Sequence, residues 1–139
     1  MAPWPFQQTF QTPLQDLQRF VDAFSGQMPL EKCTLNTDDV VFEPKHLLEF
    51  LSRFSITVEN QWKLILSADS SEEGASLLVA ALSDWVDFCL VPESEKFAIY
   101  ADHDEYTTFY AKDERTIGLI KSSIVQAGFQ AKDYIRPYL

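Results

Sequence analysis

The sequence predicts an α+β domain, in which a small, largely antiparallel sheet with a β-hairpin is covered by about four helices. Three observations indicate this fold class. Residues 97–111 (FAIYADHDEYTTFYA) contain two runs, rich in aromatic residues and Thr, that alternate at period two around an acidic tip, as hairpin strands do. Helical stripes and capping signals occur before and after this hairpin. A length of 139 residues corresponds to a single domain, with residues 1–11 as an N-terminal arm and residues 12–139 as the domain.

The arm is aromatic and contains prolines that argue against regular structure. Its Trp4, Phe6 and Phe10 would pack on the domain or be captured by a partner. Thr12 then fits a helix N-cap, Pro13 suits the first helical position, and a capping-box pattern is completed by Gln15. The first helix has an apolar stripe and ends at Gly26. The stripe consists of Leu14, Leu17, Val21 and Phe24.

The middle of the chain predicts mixed structure. A short strand is expected near residues 33–35, an extended segment at 40–42, and a second helix that opens at Pro44. Residues 56–66 alternate around a turn or bulge at Asn60–Gln61, and their second half predicts a central strand next to the hairpin.

A third helix begins with a capping box formed by Ser70 and Glu73. From Leu77 to Leu90 it is apolar nearly all round, which predicts a buried core helix that includes Trp85 and Phe88. Gly74 is expected to weaken its first turn by about 1 kcal/mol relative to Ala.

The final helix follows the hairpin. Asp113 is its expected N-cap, Ile120 and Ile124 belong to its inward stripe, and Gly128 ends it. Beyond it, residues 134–135 could add an edge strand.

Charge and composition restrict the function. The net charge is −10 and the sequence pI is about 4.5, so a nucleic-acid partner, which needs a basic stripe, is not expected. Residues 69–105 contain ten acids against one base, Lys96, and would present a negative face if they fold as one layer. Two distant cysteines demand no disulfide, and the N-terminus lacks a signal-peptide pattern, which favours the cytoplasm. The longest apolar run, residues 77–82, is too short to cross a membrane.

No segment carries a catalytic signature. The four glycines form no phosphate-binding loop, and the four Cys and His residues are too widely separated for a structural zinc site. The sequence therefore predicts no cofactor and no metal.

The hairpin tip is the candidate site, either as a solvated turn or as a surface for a basic protein partner. Size, acidity and an exposed acidic element resemble those of small acidic bacterial immunity proteins. That resemblance implies a non-enzymatic inhibitor that neutralises a basic partner such as a toxin. Two alternatives stay open: an adaptor or structural subunit that uses the arm, and a small enzyme or ligand-binding domain with a site around His103. The oligomeric state is not predicted. The candidate partner-binding residues are Asp102, His103, Asp104, Glu105, Tyr106, Asp84 and Asp87.

Overall fold

Helices cover one face of an antiparallel sheet, which confirms the α+β class. The computed structural model describes residues 4–38, 44, 46–47, 49, 56–60, 63–102 and 105–136. Within these ranges there are three helices, α1 (Leu17–Ser25), α2 (Ser71–Ser83) and α3 (Glu114–Gln126). The strands in the same ranges are β1 (Phe6–Gln11), β2 (Cys33–Thr37), β3 (Ile56–Asn60), β4 (Lys63–Ala68), β5 (Phe88–Pro92), β6 (Phe97–Ala101), β7 (Tyr106–Ala111) and β8 (Ala131–Lys132).

The sheet is larger than the sequence predicts. Its strand order is β3-β4-β2-β5-β6-β7-β1-β8, and every neighbouring pair is antiparallel. The described residues define three helices where about four were expected. The predicted second helix falls mostly outside those residues, although His46, Leu47 and Glu49 are helical.

The expected arm is, over Phe6–Gln11, a strand inside the sheet. β1 lies between β7 and β8, and Phe10 stands opposite Thr107. The strand forms because Pro5 precedes it, so that no proline interrupts the backbone hydrogen bonds of the ladder. Phe10 is fully buried under the helices, whereas Trp4 is buried on the opposite face.

Helix α1 begins later than the capping pattern predicts. Its N-cap is Asp16, and the Thr12 hydroxyl instead lies 2.7 Å from the Thr107 hydroxyl. Leu14 therefore precedes the helix and is exposed, while the rest of the predicted stripe is buried. The predicted end at Gly26 is confirmed.

The prediction that one long apolar helix continues as far as Leu90 is wrong. Helix α2 ends at Ser83, Asp84 caps it, and Trp85 takes a left-handed conformation with φ of 55°. The chain then forms β5, whose Phe88 and Leu90 face the helices. Because the second half of α2 (residues 77–82) and β5 are both apolar, the helical and strand periods cannot be told apart in this stretch.

Strand β4 is confirmed as a strand, but it does not lie next to the hairpin. β2 and β5 lie between β4 and the hairpin strands β6 and β7. The predicted bulge near Asn60 is present as a register shift between Val58 and Asn60.

The last helix agrees with the sequence. The Asp113 side chain accepts a hydrogen bond from the Thr116 amide at 2.7 Å, and Ile120 and Ile124 are buried. Gly128 follows with φ of 99°, a conformation that favours glycine. The edge strand expected at residues 134–135 is wrong, since the edge strand is β8 at Ala131–Lys132 and residues 133–136 have no regular structure.

The helix-covered face holds the main core. Aromatic rings from the sheet and from α1 meet there edge to face, with Phe24 and Phe109 ring centres 4.9 Å apart. None of the three described helices covers the opposite face, which we call the helix-free face and which carries a smaller cluster of Trp4, Ala98 and Tyr110.

Candidate functional site

Four carboxylates stand at one end of adjacent strands. The register places Thr37, Phe88, Ala101 and Thr107 in one row across β2, β5, β6 and β7. Neighbouring strands are about 4.8 Å apart, so residues just outside this row are close neighbours. We call these residues the acidic rim, and they are Asp38, Asp87, Asp102 and Glu105.

The acid-rich segment of residues 69–105 does not fold as a single layer. The strand register carries part of it to the acidic rim and part to the opposite end of the sheet. At that opposite end the acids are mixed with bases, and Glu93 and Glu95 form ion pairs with Lys32 and Lys112. The ion pairs with Lys32 and Lys112 therefore offset part of the negative charge at that opposite end.

A base borders the acidic rim. Arg136 reaches over the helix-free face, where its Nη1 lies 2.6 Å from Oδ2 of Asp102. Asp102 is thus held in an ion pair, while Asp38 and Glu105 are solvent-exposed.

Hydrogen bonds join the acidic rim to the sheet. The Tyr100 hydroxyl donates to Oδ2 of Asp38 at 2.8 Å, and the Asp38 amide donates to the Asp87 carbonyl at 2.8 Å. Burial raises the pKa of Tyr100, and the hydrogen bond to Asp38 and the charges of Asp38 and Asp87 raise it further. Tyr100 therefore stays protonated and acts as a donor at neutral pH.

An exposed tryptophan adjoins the acidic rim. Trp85 keeps 37% of its surface exposed, and Leu14 beside it keeps 42%. Both line a small cleft with Asp102 and Glu105. Trp85 and Glu105 also have positive φ angles, 55° and 89°, which L-residues of this size rarely adopt. Lys32 and Glu95, at the opposite end of the sheet, share this conformation, so it does not by itself distinguish the acidic rim.

Sequence reasoning missed Trp85 by placing it in the core. The apolar pattern continues through residue 85, so nothing in its periodicity signals exposure. Residues 88–92 (FCLVP) are apolar throughout, so no alternation in the sequence marks the strand or the break before it.

The predicted site residues divide into two groups. Asp87, Asp102, Glu105 and Tyr106 come together at the acidic rim, and His103 and Asp104 lie outside the described residues. Asp84 is separate, because it is buried and accepts hydrogen bonds from the amides of His46 at 3.0 Å and Leu47 at 2.7 Å. Its carboxylate stabilises the start of that helical segment, in the manner of an N-cap.

The enzyme alternative centres on His103, which lies outside the described residues. The cleft beside Asp102 and Glu105 has a volume of about 10 Å³, room for about one water molecule. Burial raises the pKa of Cys33 and of Cys89 to about 11, so neither thiol is a ready nucleophile. His46 lies 2.7 Å from Asp84, away from both thiols in sequence.

Metal and membrane features were also sought in the parts of the chain that the structure describes. Those residues contain no group of three or more His, Cys, Asp or Glu side chains that could hold a metal ion. None of their helices has both the length and the apolar character needed to cross a bilayer.

The adaptor alternative expects the arm to stand away from the domain. Trp4 and Phe10 are instead buried on opposite faces of the sheet. Neither ring is offered to a partner in this structure.

Comparisons with protein-family models, with curated proteins and with solved structures find no match to this chain.

Proposed function

We propose that the protein is a non-enzymatic, acidic protein-binding module, which acts as an inhibitor or immunity protein and neutralises a basic partner such as a toxin. The observation that carries this proposal is the exposed Trp85 at the border of the acidic rim. A solvated hairpin tip needs its charges, but it does not need a large aromatic side chain held open to solvent beside them.

The two features have complementary roles. Carboxylates on a rim attract a basic surface and speed its encounter, and they lose this effect at high salt. A partly exposed Trp next to Leu14 offers apolar area that a partner can bury, and Trp is among the residues that dominate binding energy. Charge would thus set the rate and orientation, and Trp85 would set the lifetime of the complex.

The proposal is tested by comparing four proteins: the wild type, Trp85→Ala, Glu105→Lys and Glu95→Lys. Glu95→Lys is a matched control, because both glutamates are exposed and have positive φ, yet Glu95 lies at the opposite end of the sheet. Asp102 is left unchanged, since its reversal would place a lysine against the buried Arg136.

Each protein is used to capture partners from the source cell at low and high salt, and the captured protein is purified for titration calorimetry. We expect to capture a basic protein that binds the wild type and Glu95→Lys and is released by salt. Its affinity should fall about tenfold or more for Trp85→Ala and for Glu105→Lys. Equal binding by all four proteins, or the absence of a salt-sensitive basic partner, would contradict the proposal.

A further inference from the structure

The guanidinium of Arg136 is enclosed on the helix-free face. Its side chain is only 10% exposed, and that of its ion-pair partner Asp102 is 13% exposed. Nε of Arg136 donates to the Thr108 hydroxyl at 3.1 Å, and Nη2 lies 3.5 Å from the Tyr106 carbonyl oxygen. The guanidinium carbon is 4.8 Å from the centre of the Tyr100 ring. We call Asp102, Thr108, Tyr106 and Tyr100 the arginine cradle. They contact the guanidinium through a carboxylate, a hydroxyl oxygen, a carbonyl oxygen and an aromatic ring.

The arginine cradle belongs to the sheet and is held independently of Arg136. The Thr108 hydroxyl also lies 2.7 Å from the Thr9 hydroxyl, and the Tyr100 hydroxyl is bonded to Asp38. Oδ1 of Asp102 accepts a hydrogen bond from the Tyr106 amide at 3.3 Å. Because the β6 and β7 backbones and these bonds fix its members, the cradle should keep its shape when Arg136 leaves.

The segment that delivers Arg136 is held far less firmly. We call residues 133–136 the strap. It has no regular structure, and its Ile135 is 71% exposed. Tyr134 stacks on Tyr106 with ring centres 5.0 Å apart, and the Gln7 side chain exchanges two hydrogen bonds of 2.8 Å with the Arg136 backbone. A segment with little buried apolar surface opens locally at low free-energy cost.

We propose that the arginine cradle is a binding site for an arginine side chain of the partner, and that Arg136 is a resident competitor which the partner displaces. The identity of the partner rests on the proposed function, whereas the chemistry of the cradle does not. An incoming arginine would supply the same positive charge that Arg136 takes away, so the Asp102 carboxylate would stay paired. Lysine fits poorly, because the forked contacts to Asp102 and Thr108 and the stacking on Tyr100 require a planar guanidinium.

The first test is chemical rescue of Arg136→Ala. The variant should melt at a lower temperature than the wild type, and millimolar ethylguanidinium should restore part of the loss, whereas ethylammonium should not. Arg115→Ala is the matched control, since Arg115 is exposed on α3, and it should respond to neither compound. Equal responses of Arg136→Ala to both compounds, or no response to either, would overturn the proposal.

The second test measures competition by Arg136. The probes are the blocked peptides Gly-Gly-Arg-Gly-Gly and Gly-Gly-Lys-Gly-Gly. Removal of an internal competitor should strengthen binding of the arginine peptide about tenfold, and the lysine peptide should not gain. Arg136→Lys keeps the charge and should fold even if Arg136→Ala does not, and it should also bind the arginine peptide more tightly than the wild type. No gain in either variant would show that the strap is a structural latch.

The two proposals can fail separately. If rescue and peptide binding fail while Trp85→Ala still loses the partner, the acidic rim functions without the cradle. The opposite result is that the cradle binds arginine while Trp85→Ala, Glu105→Lys and Glu95→Lys all bind the partner as the wild type does. The proposal for the cradle would then hold, and the proposed function would be wrong.

Discussion

Gly74 lies where helix α2 touches the chain that precedes β2. A Cβ atom at this position would lie 2.3 Å from the carbonyl oxygen and 2.7 Å from Cβ of Leu30. Leu30 is fully buried, and its backbone oxygen cannot swing aside as the end of a flexible side chain can. Gly74→Ala should therefore destabilise the protein, although alanine is the better helix former.

The expected size follows from two opposing terms. Alanine gains about 1 kcal/mol in helix propensity over glycine. Forcing a methyl group into a packed contact costs about 1–3 kcal/mol, and the backbone contact places this case at about 3 kcal/mol. The free energy of unfolding should fall by about 2 kcal/mol, which corresponds to a melting temperature about 6 °C lower.

Gly118 provides the matched control. It lies in helix α3, where a Cβ atom would meet nothing within 4 Å. Gly118→Ala should thus raise the free energy of unfolding by about 1 kcal/mol. Both variants are measured by urea and thermal unfolding with circular dichroism. An equal rise in stability for the two variants would refute the assigned close approach of α2 to Leu30.

Three further predictions concern stability. Asp113→Ala should lower the urea concentration at the unfolding midpoint, and Asp113→Asn should recover most of the loss, because the Thr116 amide regains an acceptor; no recovery would contradict this. Asp84→Ala should cost about 2 kcal/mol or more in the same assay, since the His46 and Leu47 amides lose their acceptor, and a neutral result would contradict that bond pattern. Burial raises the pKa of Tyr110 from 10.0 to about 12, so the native state binds more protons between these values. The contribution of Tyr110 to stability should therefore be lost as pH rises through this window, alongside that of Tyr100, whose pKa is also raised, and Tyr110→Phe should show a flatter slope.

The parts of the fold that the sequence predicts are those set by short-range interactions. Ser70 accepts a hydrogen bond from the Glu73 amide, and Asp113 from the Thr116 amide, each within three residues. The hairpin of β6 and β7 likewise follows from adjacent strands and a polar tip. These contacts join residues that are close in sequence, so they can be predicted from a single sequence.

The parts that the sequence does not predict depend on distant partners. Residues 6–11 form a strand only because β7 supplies a ladder, and Thr9 meets Thr108 across 99 positions. The break at Trp85 depends on a left-handed backbone for which this residue has no intrinsic preference. Neither feature has a local signal.

The candidate site shows the same division. The acidic tip is visible in the sequence, since Asp102 and Glu105 lie in one loop. Asp38 joins them only through the register of β2 and β5, and Arg136 pairs with Asp102 across 34 positions. Sequence reasoning thus named three of the four acidic-rim residues, Asp87, Asp102 and Glu105, and the sheet register added Asp38 and brought the four together.

The position of β1 has a consequence for folding during synthesis. β1 is made early but pairs with β7, and Thr9 and Thr108 are 99 residues apart. At a ribosomal rate of about 5–20 residues per second, the early strand waits on the order of 5–20 s for its partner. During that interval Phe10 lacks Phe109 of β7, against which its ring packs in the folded protein. The nascent chain is therefore most open to aggregation, and most in need of a chaperone, before β7 leaves the ribosome.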